Sequence, residues 1–311
     1  RQWQKEMFEM IDRLRFYPCI TTWVVFNEGW GQHNTVEIVN KVIKYDDTRL
    51  INGVTGWTDR GVGDMYDVHN YPVTSMILPE NNGNRISVLG EFGGYGWAIK
   101  EHIWNPNMRN WGYKNIDGAM ALIDSYGRLV YDLETLIAQG LSAAVYTQTT
   151  DVEGEVNGLI TYDRKVTKIP EGLLHLMHNR LYEITPAKAV TLIADGQNGS
   201  KNTRLVSLNG QELKMTSLPF ECPPRSTVVS EATFKVDKDF NHLSLWLNVA
   251  GEAKVWLNGV EVFAQEAKQT RQYNQYNISD YSRYLRKGSN LLRIEVKDSK
   301  KMRFDYGLRA Y

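Results

Sequence analysis

The chain has 311 residues, room for about two domains at roughly 150 residues each. Lys plus Arg and Asp plus Glu both number 36, so no net field selects nucleic acid or an acidic membrane surface, and a neutral ligand suits the balance. No apolar run reaches the ~18 residues of a membrane span, and Cys19 and Cys222 fall in segments assigned to different domains, which argues against a disulfide and leaves the redox compartment open.

The chain opens on a helical period, Trp3, Met7, Met10, Ile11 and Leu14, so Arg1 reads as an internal position of a longer protein. Ile20 to Phe26 is a β-branched and aromatic run that reads as a buried strand; it stops on Asn27-Glu28, before glycines that cannot continue it. Val36, Val39, Val42 and Ile43 mark a helix ending near Asp46-Asp47, and Leu50 to Val54 is a short strand followed by a glycine-rich loop. Met65 to Tyr71 is the next strand, closed by Pro72. Ile86 to Glu91 repeats the first design, a strand with a terminal carboxylate.

A long aromatic loop from Phe92 to about Ile116 exceeds ordinary connection lengths, which points to function. Asp117 to Gln139 reads as a helix with Ile123, Gly127, Val130 and Ile137 on one face and Gly140 as its stop. Leu141 to Thr147 is a further strand, and the last helix begins at Pro170 and is expected to bury Leu173, Leu174, Met177 and Leu181. Strand and helix alternate about five times within residues 1–186, which argues for a parallel α/β domain.

From Ala187 the composition changes. Residues 187–230 read as a linker with room for the first strands of a second domain, and the polar, turn-rich stretch 195–202 suits a boundary. From Glu231 to Tyr311 the pattern is all strand, with Asn258-Gly259 as a hairpin signal, so this part is expected to be a β-sandwich. Two glutamates at the ends of parallel strands suggest a pair of carboxyl groups for glycoside hydrolysis.

Four phrases sharpen that expectation: Tyr17-Pro18 through Asn27-Glu28; His69-Asn70-Tyr71-Pro72; Leu89-Gly90-Glu91-Phe92-Gly93; and Asp151-Val152-Glu153 through Asn157-Gly158-Leu159 with Tyr162-Asp163-Arg164. In this order they resemble glycoside hydrolase family 2, the family of β-galactosidases, β-glucuronidases and β-mannosidases. The resemblance implies the C-terminal half, strands 4 to 8, of a (β/α)8 TIM barrel, followed by a jelly-roll sandwich of the galactose-binding-like type. It implies a retaining β-glycosidase, β-galactosidase-like, with Glu28 as acid/base and Glu91 as nucleophile. It also implies a periplasmic or extracellular setting. The first three strands would be missing, leaving open barrel edges through which the chain would self-associate and which would make it a weak enzyme alone.

Around the pair, Asn27 could bond the hydroxyl beside the reacting carbon, His69 could reach a sugar hydroxyl and Tyr71 could orient Glu91. Tyr146 stands where many relatives carry a tryptophan near the end of strand 8, and the resemblance makes it a further candidate to line the sugar site. Trp30, Trp57, Trp97, Trp104 and Trp111 lie outside the predicted strands and helices, and the first three are candidates to stack on a sugar face. Metal readings are rejected: Asp151, Glu153 and Glu155 imitate a calcium loop, but Val156 stands where its glycine belongs and Tyr162 where its last carboxylate belongs. No cofactor is expected. The rival expectation is a non-catalytic carbohydrate-binding protein built on a truncated barrel.

Overall fold

The computed structural model describes residues 1–195, 204–216, 218–267, 273–298 and 300–311; of the polar boundary stretch 195–202, all but Asp195 lies outside the described residues. Strands outnumber helices along the chain. It divides into two compact units, one of residues 1–130 and 136–186, the other of residues 131–135 and 187–311.

In the first unit, α1 (Gln2–Leu14) presents Met7 and Ile11, four residues apart on one helix face, to a core shared with β1 (Thr22–Asn27), α2 (Thr35–Tyr45) and β2 (Leu50–Thr55). Trp23, Val25 and Phe26 of β1 meet Ile38, Val39 and Val42 of α2 there. The two strands run parallel, Thr22 opposite Leu50 and Asn27 opposite Thr55. A second parallel sheet is made by β3 (Met65–Asn70), β4 (Ile86–Gly93) and, beyond the paired dipeptides β5 (Tyr95–Gly96) and β6 (Lys114–Asn115), β7 (Leu141–Thr147). The sheets adjoin between β2 and β3, where Asp64 N donates to Ile51 O at 2.8 Å and Asn52 bridges to Gly63. The five long strands thus follow one another in chain order, β1-β2-β3-β4-β7.

Neither β1 nor β7 has a second strand partner among the described residues, and Val24 and Val145 are 46% and 57% exposed. Two helices differ from expectation. In α3 (Ala119–Ala138) the buried stripe is Leu122, Tyr126, Leu129, Leu133 and Leu136; of the expected face Val130 is buried, whereas Ile123, Gly127 and Ile137 are only half-buried. The helix is apolar around much of its circumference, so two adjacent stripes satisfy the same 3.6-residue period. In α4 (Glu171–Tyr182) no residue is buried: Leu173 and Leu176 are exposed, and Leu174, Met177 and Leu181 are half-buried. One flank of α4 meets the unit, through His178 Nε2 and Tyr126 OH at 2.7 Å and through Met177 beside Gly127.

The second unit is antiparallel throughout. It begins within 187–230, with β8 (Val190–Ile193), β9 (Arg204–Leu208), β10 (Gln211–Thr216), β11 (Phe220–Cys222) and the start of β12 (Ser226–Val236). There follow β13 (Leu243–Asn248), β14 (Glu252–Leu257), β15 (Val260–Gln265), β16 (Asn274–Asn277), β17 (Gly288–Asp298) and β18 (Met302–Ala310). One sheet runs β10-β9-β12-β17-β14-β15; the other runs β11-β18-β13-β16, with β8 also on β18. Burial alternates along β12, placing Val228, Ser230, Ala232 and Phe234 on the inner face, and Ser230 Oγ meets Tyr306 OH of the other sheet at 2.9 Å. Asn258 and Gly259, at φ +50° and +86°, make the tight turn between β14 and β15, as a two-residue hairpin with both central residues left-handed requires.

Candidate active site

The C-terminal ends of β1, β3, β4 and β7 bring four of the predicted residues together. Glu28 follows β1 at φ +54°, its backbone N–H donating to Thr55 O at 2.8 Å, so the strand's ladder ends where the carboxylate begins. Gln32 Nε2 donates to Glu28 O at 2.6 Å and Trp30 Nε1 to Glu28 Oε2 at 3.1 Å. Glu91 is not the last residue of its strand: β4 continues through Gly93, with Phe92 and Gly93 opposite Tyr146 and Thr147. What turns Glu91 into the site is an extra residue, since Val68 pairs with Leu89 but His69 pairs with Glu91.

The His69 side chain is 2% exposed and lies between the two acids, Nδ1 standing 3.1 Å from Glu28 Oε1 and 3.3 Å from Glu91 Oε2. Gly56, at φ +71°, makes room for that ring, because a Cβ there would collide with the imidazole. Tyr71 OH donates to Glu91 Oε2 at 2.5 Å and lies 2.8 Å from Thr147 Oγ1. Oxygens of Glu28 and Glu91 and a ring nitrogen of His69 all fall within 4.8 Å of one another, while the carboxylates remain 19% and 32% exposed. Among the described residues no other His, Cys, Asp and Glu side chains group this way, and the 3.1 Å between Nδ1 and Glu28 Oε1 is a hydrogen-bond distance. Burial, then the Glu91 carboxylate, pushes the Tyr71 phenol upward, which keeps it a proton donor in neutral solution.

Asn27 Oδ1 accepts from Thr55 Oγ1 at 2.6 Å, at the edge of the same site. Trp30 and Trp57, 71% and 49% exposed, meet edge to face with centroids 6.0 Å apart. Trp97 is held through its backbone: its amide N–H donates to Val156 O at 2.9 Å and its carbonyl accepts from Lys168 Nζ at 2.9 Å. Tyr146 requires a correction. Its ring packs edge-on against Phe92 and Tyr126 and its hydroxyl accepts from Tyr95 N, whereas the next residue, Thr147, reaches Tyr71. Alternation along β7 sends neighbouring side chains to opposite faces, so the pair's neighbour from this strand is Thr147.

Tyr113 was not foreseen. It stacks on Tyr71 at 3.5 Å between centroids and 2° between planes, with Trp111 edge-on to it. The only sequence signal was the aromatic content of the long loop. A second anchor of that loop is His102, whose Nδ1 lies 2.9 Å from Asp163 Oδ2. The Thr161 hydroxyl and then His102 hold the Asp163 carboxyl down at about 2. A carboxyl lowered from its ordinary 3.8 contributes stability above that value and loses it as pH falls from about 4 towards about 2. Carbon-13 NMR of the Asp163 carboxyl should therefore give a midpoint near 2; a midpoint near 4 would mean that the anchor is not formed in solution.

No protein-family model matches the chain, and no curated protein does. Parts of it align with solved structures: an FMN-binding β-glucuronidase from Facaelibacterium prausnitzii L2-6 at 17% identity and TM-score 0.31, over 40% of this chain and 23% of that one. A β-D-glucuronidase from Dictyoglomus thermophilum aligns at 12% identity and TM-score 0.28, over 37% of this chain and 20% of that one. A Ruminococcus gnavus β-glucuronidase, in complex with uronic isofagomine, aligns at 10% identity and TM-score 0.29, over 40% and 28%. The chain thus spans between a fifth and three tenths of the length of these proteins.

Proposed function

We propose that residues 1–186 carry the carboxylate pair of a retaining β-glycosidase of the family 2 type, on an arc of a (β/α)8 barrel. The observation that carries the reading is the approach of Glu28 and Glu91 oxygens to within 4.8 Å, close to the separation of about 5 to 5.5 Å that a double displacement needs. Glu91, aimed by Tyr71, attacks the anomeric carbon while Glu28 protonates the departing oxygen; a glycosyl-enzyme forms on Glu91. Glu28, now ionised, takes a proton from water, which attacks the same carbon and frees Glu91. Asn27 bonds a sugar hydroxyl and the Trp30 and Trp57 faces receive the ring, whereas His69, with Nδ1 between the two acids and Nε2 towards Asp67, holds the pair and not the sugar as the sequence suggested. The two parallel sheets, β1-β2 and β3-β4-β7, support the barrel reading, because a barrel's catalytic groups collect at the C-terminal strand ends.

The test is a fluorosugar β-glycoside with a dinitrophenyl leaving group, offered as galactoside, glucoside and glucuronide. One glycosyl mass on the peptide containing Glu91, with an equal amount of dinitrophenolate released, is expected, the galactoside reacting fastest. Sugar binding without a covalent adduct would favour the non-catalytic, carbohydrate-binding alternative. The open edges of β1 and β7 support self-association as well. Light scattering should find dimers or larger species at micromolar concentration; a strict monomer would mean that the edges are protected.

A further inference from the structure

The extra residue in β4 is Gly90, and it is held from behind by Asp67, a side chain to which the mechanism above gives no part. Asp67 is 2% exposed. Its Oδ1 accepts from Gly90 N at 2.8 Å, the amide that the bulge withdraws from the ladder with β3, and its Oδ2 accepts from Asn52 Nδ2 of β2 at 2.6 Å. A Cβ on residue 90 would fall inside the Asp67 carboxylate, so the Leu89-Gly90-Glu91 phrase needs its glycine for this contact. Asp67 Oδ1 also stands 3.9 Å from Nε2 of His69, the ring lying between the two acids. One carboxylate therefore spans β2, β3 and β4 directly beneath the site.

We propose that Asp67 is a positioning residue of the carboxylate pair: by capping the Gly90 amide it fixes the bulge that aims Glu91 at His69 and Tyr71. The argument is one of register. Side chains alternate along a strand, so a β4 without its extra residue would turn Glu91 to the opposite face, away from Glu28. The bulge leaves the Gly90 N–H without a ladder partner, and a buried amide in that state is costly, so the acceptor that satisfies it selects the bulged register. Asn52 Oδ1 has no hydrogen-bond partner, which allows its amide to turn over and meet an asparagine at position 67. Asp67→Asn can thus keep the cap on Gly90, whereas Asp67→Ala cannot.

This rests on the glycosidase reading, and the experiment separates the two. In the full chain, amide exchange at Gly90 should be at least a hundredfold faster in Asp67→Ala than in the parent, and Asp67→Asn should stay within tenfold. With an aryl β-glycoside, kcat should fall at least thirtyfold in Asp67→Ala with KM within threefold, and Asp67→Asn should recover most of it; a merely structural loss would move stability without this split. Should Asp67→Ala fail to fold, Gly90→Ala disturbs the same contact from the other strand and should show the same loss of kcat. A chain without the first three barrel strands is expected to be a weak enzyme, so where the parent shows no turnover the fluorosugar label tests the glycosidase reading, and Gly90 exchange together with the Tyr71 to Glu91 nuclear Overhauser contact decides the positioning role. Protection of Gly90 unchanged in Asp67→Ala, or unchanged kcat in every variant, overturns the proposal.

Discussion

Glu91→Ala should lower turnover of an aryl β-glycoside by roughly 10⁴-fold or more, because among the described residues the cluster holds no carboxylate besides Glu28, the acid, to form the covalent intermediate. The vacancy left by the side chain lies beside Tyr71 and His69, so azide or formate should enter it and restore part of the rate, giving a product of inverted configuration. Glu28→Ala should behave differently. A dinitrophenolate leaves without protonation, so release of the first product is spared, whereas poor leaving groups lose the proton they need and the second step loses its base. The discriminating measurement is the ratio of rates on good and poor leaving groups for each variant, with and without azide. An equal loss on every substrate, with no rescue, would exclude these roles for the two acids.

Why the pair was legible and its surroundings were not follows from how each is encoded. Glu28 and Glu91 end or nearly end apolar strand patterns, and His69 and Tyr71 stand before a proline that stops a third, so local sequence locates all four at one sheet edge. The Asn258-Gly259 turn is equally local, since its two left-handed residues specify the hairpin by themselves. Tyr146 was misplaced by one residue. Alternation gives two faces but not their sense, and the register irregularity between Leu89 and Phe92 shifts the strand that β7 pairs with. Asp67, Tyr113 and Lys168 act through partners 23, 42 and 17 residues away, distances at which no period or spacing speaks. The stripes of α3 and α4 failed for a different reason: an apolar period states which residues can be covered, and only the neighbouring elements decide which are.

Lys168→Met should be the most destabilising of the single substitutions considered. The Lys168 side chain is fully buried and Asp151 is 2% exposed, with Nζ 2.8 Å from Oδ1. Its remaining donors reach Trp97 O and Val156 O, each at 2.9 Å, so the ammonium is satisfied by one charge and two carbonyls. Burial pushes the Asp151 carboxyl up and the Lys168 ammonium down, each against the pull of its partner, as expected of two ions held together away from water. Removing one member leaves the other charge uncompensated, a loss of about 3 to 5 kcal/mol, and here two carbonyls lose their donor as well. For a unit of this size that corresponds to a fall in Tm of roughly 6 to 20 °C. Asp151→Asn combined with Lys168→Met should lose less than the two single changes summed, since it strands no charge; a double-mutant cycle gives the coupling directly. The loss should spread to the site, because the tether joins the segments of Trp97 and Val156, and Val156 N in turn donates to Trp111 O at 2.8 Å, two residues before the ring that stacks on Tyr71. Faster amide exchange at Trp97, Val156 and Tyr113 in Lys168→Met would carry that last step. A Tm within about 2 °C of the parent would mean that the buried pair does not hold these loops.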